Sequence, residues 1–402
     1  MFIMKTVTRN ARCYAIVTET WRPQINGVAN TLGRLCDGLL AGGNALQLVR
    51  PAQPGESTGM RVDRSMQQLL VKGLPIPGYG QLQFGLPAYR RLLNHWRQQR
   101  PDSIYLATEG PLGWSALRAA RRLRIPVISG FHTNFQQYSQ HYRLGLLQRP
   151  VSAYLRWFHN QTLVTLSASS TQQHELVRMG IVNPALLGRG VDCELFHPSH
   201  RDSRLRRQWG VGENDLVLLH VGRLAAEKNL QLLQSSWQHA RTHCPPGTRL
   251  RMVVVGDGPQ QEQLQQAMPD ALFTGSLAGA ELATAYASAD IFLFPSLTET
   301  FGNVVTEAMA SGLAVVAYDT AAAHQHIRDR YSGCLAVPGN EAQFRANLGW
   351  LLNDREGMRG VRMHARHRAC QLDWAAVGRR FEGYLQRHCA APISAPDAVP
   401  GK

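Results

Sequence analysis

The sequence predicts an α/β protein built from two doubly wound parallel-sheet domains. Three observations carry that expectation. At 402 residues the chain exceeds what a single hydrophobic core usually holds. Short apolar runs rich in β-branched residues recur along it without polar alternation, as strands buried on both faces require. Longer helix-like stretches separate these runs, in two successive series.

The first series comprises YAIVT (14–18), ALQLV (45–49), SIYLA (103–107), PVIS (126–129) and TLVTLSAS (162–169). The second comprises LVLLHVG (216–222), LRMVVVG (250–256), IFLFPS (291–296) and LAVVAYD (313–319). Between the series, the polar, basic and glycine-containing stretch 198–212 reads as a linker. The expected division is therefore a first domain over 1–198 and a second over 199–372. A helix follows over 373–389, where WAAVGRRFEGYLQRH spaces its apolar residues helically, and a proline-containing tail over 390–402.

Composition narrows the function classes. Apolar residues make up 44% and charged residues 18%, ordinary for a folded chain and unlike a disordered one. Seven scattered cysteines with no C-x-x-C spacing suggest neither a disulfide framework nor a zinc site. No apolar run approaches the ~18 residues of a spanning helix. The N-terminal MFIMKTVTRNARC has no signal-like apolar segment, so a cytoplasmic location is expected. The formal charge of +15 is uneven: residues 1–198 hold 22 Lys/Arg against 9 Asp/Glu, a net of +13, and residues 199–402 hold 21 against 19, a net of +2.

In such sheets ligands sit beyond the carboxyl ends of strands, where a loop leads into a helix. After IFLFPS comes a loop containing Glu299, then a helix opening near Gly302 with Glu307 in its second turn. A helix start offers unpaired amides and a positive dipole end, a seat for phosphate. A lone Glu is ordinarily a solvated or capping residue. Glu307, however, stands among Val304, Val305, Ala308 and Met309, a poor place for one. After LLHVG, Arg223 and Lys228 can meet a diphosphate as a fork and a point charge. The chain has only four lysines against 39 arginines, so a lysine at 228 is conspicuous. Asn26-Gly27 after the first strand permits close backbone approach to a ligand. His132 follows PVIS at the functional rim, and Tyr138 and Tyr142 share one helix face at i, i+4. Gly256-Asp257-Gly258-Pro259 can approach a nucleotide base or be only a turn, and Gly188-Arg189-Gly190-Val191-Asp192 ends the first half beside the expected cleft. G-x-G-x-x-G, P-loop, G-x-S-x-G and D-x-D patterns are all absent, as is any His/Asp metal cluster.

Taken in order, these residues resemble the retaining glycosyltransferases of family 4, with the GT-B fold. The resemblance rests on Asn26-Gly27-Val28, the G-F-H-T segment at 130–133, G-R-G-V-D at 188–192, V-G-R-L-x-x-E-K at 221–228, G-D-G-P at 256–259 and Glu299-x7-Glu307. It is closest in look to GDP-mannose-dependent α-mannosyltransferases and to sulfoquinovosyl and glucosyl transferases acting on diacylglycerol. It implies two Rossmann-like domains facing across a cleft, the donor held mainly by the second, and the terminal helix crossing back to the first. It further implies that Arg223 and Lys228 bind the diphosphate, Glu307 the ribose and Glu299 the transferred sugar. Amides around Phe301, Gly302, Asn303 and Val304 would contact sugar or phosphate, Gly27 would approach the diphosphate, and His132 would contact the sugar near the reacting carbon. Configuration would be retained by front-side attack, with no metal or other cofactor. Asp319–His324 stands where many relatives carry a Gly-Gly turn, so contacts there do not transfer.

The +13 falls on the domain expected to bind the acceptor. Arg90, Arg91, Trp96 and Arg97 on one helix-like stretch, with Arg118, Arg121 and Arg122 on another, suit an anionic membrane surface. The expectation is a peripheral enzyme on the inner face of the cytoplasmic membrane that transfers a hexose, mannose first, from a nucleotide sugar to a lipid acceptor. A UDP-sugar-dependent diacylglycerol glycosyltransferase, a transferase with a soluble acceptor and, more remotely, a nucleotide-sugar epimerase remain as alternatives. A nucleic-acid partner is suggested by charge alone, leaves the Glu pair and the Arg/Lys loop unexplained, and is not expected.

Overall fold

The computed structural model describes residues 11–24, 27–63, 66–76, 79–132, 148–297, 299, 301–387 and 389. The strands are β1 (Cys13–Val17), β2 (Ala45–Pro51), β3 (Gly59–Asp63), β4 (Met66–Val71), β5 (Gly73–Ile76), β6 (Tyr79–Gly85), β7 (Ser103–Leu106), β8 (Val127–Gly130), β9 (Thr165–Ser167) and β10 (Pro184–Leu186) in the first half. The second half contributes β11 (Leu216–Val221), β12 (Leu250–Val255), β13 (Leu272–Gly275), β14 (Ile291–Phe294), β15 (Ala314–Tyr318) and β16 (Cys334–Ala336).

They assemble into an eight-stranded sheet ordered β10-β9-β8-β7-β1-β2-β4-β3 and a six-stranded sheet ordered β13-β12-β11-β14-β15-β16, with β5 and β6 as a separate hairpin. Every pairing in the two large sheets is parallel except β3 with β4, at the edge of the first. Successive strand residues face opposite sides and both sides are covered. In β11, Val217, Leu219 and Val221 enter one core while Leu216 and Leu218 enter another. In the first sheet Tyr14 and Ile16 pack on one face, and Ala15 and Val17 on the other. Strand order reverses between β1 and β7 and between β11 and β14, which are the positions where such sheets open a crevice.

The helix Trp374–Arg387 presents Val377, Phe381 and Leu385 at i, i+4, i+8 to the core of the first sheet. There Phe381 meets the edge of Tyr105 with ring centroids 4.9 Å apart, and Asn44 donates to Glu382 Oε1 at 3.1 Å. The second sheet's chain thus ends on the first sheet's face.

The stretch 198–212, expected as a linker, is a docked element. Asp202 caps the helix Ser203–Gln208 through its side chain. Arg206 is fully buried, bonded to Asp290 at 3.1 Å and to the carbonyls of Ser288, Gly212 and Asp215. Its polar composition satisfies buried backbone carbonyls rather than solvating a tether. Among the described residues, no helix is long and apolar enough to cross a membrane.

Candidate active site

A cleft of about 640 Å³ lies between the carboxyl ends of the two sheets. On the first side, β1 runs into a loop that Thr18 folds by accepting from the Thr20 amide at 3.1 Å. The helix Gly27–Ala41 then starts at the cleft with Gly27. Residues 25–26 lie outside the described residues, as do Tyr138 and Tyr142. A Cβ on Gly27 would sit 3.5 Å from Arg189 Nη1 and 3.7 Å from Asn303 Nδ2, so the start of this helix directly faces the second domain.

On the second side, β14 ends at Phe294, and the loop carrying Glu299 leads to Gly302, whose φ of +88° only glycine adopts freely. Gly302 is the N-cap of the helix Asn303–Ala310, and among the described residues no side chain caps it. The first amides of that helix therefore lack intrahelical acceptors and open towards Gly27. Two helix starts meet across the cleft, which makes it favourable to anions.

The loop after β11 brings Lys228 to the same floor. The Lys228 ammonium pairs with the Glu299 carboxylate, the two side chains being 16% and 13% exposed. Gly256 and Gly258 support this loop rather than a ligand: a Cβ on either would collide with the Gly222 carbonyl at 2.0 Å or the Leu224 carbonyl at 2.4 Å. Arg223 stands exposed in the same loop.

Glu307 lines the cleft one turn into its helix and accepts a hydrogen bond from Tyr286 Oη at 3.2 Å. Burial pushes its carboxyl up to about 7, and the Tyr286 bond only partly opposes this. Phe301 is core: its ring packs on His326, and its carbonyl accepts from the Ala322 amide at 2.8 Å. The 319–324 segment thus holds the loop from behind, with Ala321 in the left-handed region at φ +47°. Phe301, Gly302, Asn303 and Val304 all line the cleft.

His132 follows β8 and lines the cleft. Its Nε2 lies 2.9 Å from Tyr105 Oη, an approach that Gly130 permits, since a Cβ there would fall 1.8 Å from that hydroxyl. Burial, with help from the Arg189 and His159 charges, pushes the imidazole down to about 3, so it is neutral at ordinary pH. Its Nδ1 finds no partner among the described residues. Tyr105 and Tyr286 carry no signal in the sequence, because each reaches its partner from a separate element.

The basic surface needs one correction. Arg90, Arg91, Arg97, Arg118, Arg121 and Arg122 are exposed, but Trp96 is fully buried. With Leu92 it forms the inward stripe of the helix Tyr89–Gln98 and packs into the core of the first sheet, so it is unavailable to a membrane. Arg118 stacks on Tyr89 and Trp114, with centroid distances of 5.1 and 4.7 Å.

The cleft thus unites a carboxylate–ammonium pair, a second, half-buried carboxyl group, a neutral imidazole and the starts of two helices. Among the described residues, no three His, Cys, Asp or Glu side chains converge. Such a site can seat a polyanion beside a polyhydroxylated group. Residues 25–195 match the sequence profile of Glycosyltransferase Family 4, and residues 215–354 match that of Glycosyl transferases group 1. A GDP-mannose-dependent alpha-mannosyltransferase from Mycobacterium tuberculosis is 35% identical over 92% of this chain and 96% of that protein. The chain belongs to glycosyltransferase family 4. Sulfoquinovosyl transferase SQD2 from Arabidopsis thaliana is 33% identical over 81% of this chain and 63% of that protein. The fold is GT-B. Sucrose-phosphate synthase from Thermosynechococcus elongatus superposes with a TM-score of 0.74 at 17% identity, covering 94% of this chain and 98% of that one. Anabaena HepE in complex with UDP and glucose superposes at 0.71 and 19% identity, covering 94% and 100%.

Proposed function

We propose that this family 4 glycosyltransferase moves a hexose, mannose first, from a nucleotide-diphosphate sugar to a membrane-lipid acceptor, with retention of configuration and without a metal. The observation that carries the reading is the convergence of Lys228, Glu299, Glu307 and the open start of the helix Asn303–Ala310 in one cleft. The diphosphate lies on Lys228 and the amides of Gly302, Asn303 and Val304, opposite the helix start at Gly27. Glu307 accepts from the ribose hydroxyls. Glu299, released in part from Lys228 when phosphate arrives, holds hydroxyls of the sugar. Arg223 joins the diphosphate from the same exposed loop. His132 contacts the sugar as a neutral hydrogen-bonding group, too weak a base to take the acceptor's proton. That proton passes to the leaving phosphate in a front-side attack, with Lys228 and the helix starts stabilising the charge that a metal would otherwise neutralise.

Mannose and a GDP donor are supported by the activity for which the Mycobacterium tuberculosis relative is named. A UDP-sugar donor with a diacylglycerol acceptor is the second reading; its acceptor is favoured by the name of the alpha-monoglucosyldiacylglycerol synthase from Streptococcus pneumoniae, 27% identical over 80% of this chain. Docking on the anionic inner face of the cytoplasmic membrane follows from the exposed arginines of the helices Tyr89–Gln98 and Pro111–Leu123, each basic residue adding about 1 kcal/mol near such a surface. The test is a panel of GDP- and UDP-sugars offered with membrane lipids or with soluble sugars, read by mass spectrometry, with and without EDTA. Hexosylated lipid from GDP-mannose, insensitive to EDTA, is expected. Product only among the soluble acceptors would overturn the lipid reading.

A further inference from the structure

Among the described residues four cations line the cleft, from different parts of the chain, and three of them already have a carboxylate. Arg22 pairs with Asp37 at 2.9 Å, Arg34 with Asp192 at 2.6 Å, and Lys228 with Glu299. The fourth, Arg189, is only 6% exposed and has no ion-pair partner among the described residues. Its Nη1 donates to the Asn303 side-chain oxygen at 3.2 Å, its guanidinium lies 5.6 Å from the centre of the Phe301 ring, and its Nε finds no acceptor. A buried charge held by a neutral amide and a ring, with a donor left over, is a costly arrangement for an empty protein. It becomes favourable once an anion fills the cleft. The position fits, because Nη1 lies between the two helix starts at Gly27 and Asn303.

We propose that Arg189 is a ligand of the sugar-proximal phosphate of the bound diphosphate, a cation reserved for the donor by the loop that follows the last strand of the first domain. The proposal rests on the donor reading above and adds to it a charged residue from outside the second domain. The sugar-proximal phosphate is favoured over the nucleoside-proximal one by its neighbours. Arg189 Nη1 bonds Asn303 at the first position of the helix, four residues before Glu307, assigned to the ribose, while Glu299 acts electrostatically on Arg189 and Arg189 on His132, the two groups assigned to the sugar. On binding, phosphate oxygens replace the Asn303 oxygen as acceptors of the guanidinium fork and take up the spare Nε–H. Because Arg189 and Gly27 come from the first-domain side, the same contacts draw the two domains onto the donor.

Calorimetric titration with GDP and with GMP separates this role from a structural one. GMP lacks the second phosphate, so Arg189→Gln should weaken GDP about ten- to hundredfold while leaving GMP nearly unchanged. Arg189→Lys keeps the charge without the fork and should fall between. A folded Arg189→Gln with the wild-type ratio of GDP to GMP affinity would overturn the proposal, as would equal weakening of both nucleotides. If Arg189→Gln does not fold, Arg189→Lys carries the test: a ratio lowered by about threefold or more supports the proposal, and an unchanged ratio overturns it. Failure of the wild-type protein to bind GDP or UDP at all would remove the donor reading itself, a result distinct from any of these.

Discussion

The hydroxyl of Tyr286 donates to the Glu307 carboxylate at 3.2 Å, and these two residues belong to different helices flanking β14. This bond holds a carboxyl group in place at a site where burial disfavours its charge. Glu307 keeps its proton up to about 7, against an ordinary value of 4.5. Between those values the folded protein binds a proton that the unfolded chain has released, so stability falls as pH rises through the window. Glu19, also raised to about 7 by burial, contributes a slope of the same sign. The difference between wild type and Glu307→Gln isolates Glu307. Glu307→Gln should raise the melting temperature of the empty protein at pH 8, have little effect at pH 4, and weaken nucleotide binding. Calorimetry at the two pH values reads all three.

Lys228 and Glu299 should behave as one unit. Lys228→Ala removes the cation assigned to the leaving diphosphate and is expected to lower turnover on the order of 10²–10³-fold. Glu299→Gln should also impair turnover, and the double variant should lose less than the two single losses multiplied together, since either change breaks the same pair. Steady-state kcat/KM values for the four proteins give the coupling; strict additivity would contradict it.

His132 should stay neutral across the working range. Burial holds it down near 3, so nitrogen chemical shifts of its ring should show no protonation between pH 5 and 9. Tyr105→Phe removes the hydroxyl 2.9 Å from Nε2 and should change the ring's tautomer balance, with a stability cost of about 1 kcal/mol.

The two kinds of residue on the basic helices should separate cleanly. Reversing Arg90, Arg91 and Arg97 to Glu should release the protein from anionic liposomes in flotation and leave its melting temperature nearly unchanged. Trp96→Ala should instead destabilise the fold by about 3–5 kcal/mol, because the side chain is fully buried. Flotation indifferent to both salt and the triple reversal would remove the membrane surface from the account.

Much of this architecture was legible because central parallel strands are apolar on both faces. All nine apolar runs overlap a strand, from YAIVT at β1 to LAVVAYD at β15. The strands that escaped notice, β3, β4, β10, β13 and β16 among them, lie at or near sheet edges. There short lengths and polar or half-exposed residues blur the pattern, as in the MQQLLV of β4. At the site, Lys228 stood out by rarity and Glu307 by its apolar neighbours. Both reasons proved physical, in an ion pair and a desolvated carboxyl. Trp96 misled because a basic helix hides its inward stripe from a reading by composition. The 198–212 stretch misled because arginines that bind buried carbonyls look like those that face water. Tyr105, Tyr286 and the isolation of Arg189 depend on segments far apart in sequence, which leave no local periodicity.

The most direct measurement of the central claim is a crystal structure of the protein with GDP-mannose or its unreacted analogue. The account predicts density in the cleft, with the diphosphate within hydrogen-bonding distance of Lys228 Nζ and the amides of Gly302–Val304, and the ribose on Glu307. A nucleotide bound elsewhere, or bound here with its diphosphate directed away from Lys228 and the helix start at Asn303, would contradict it.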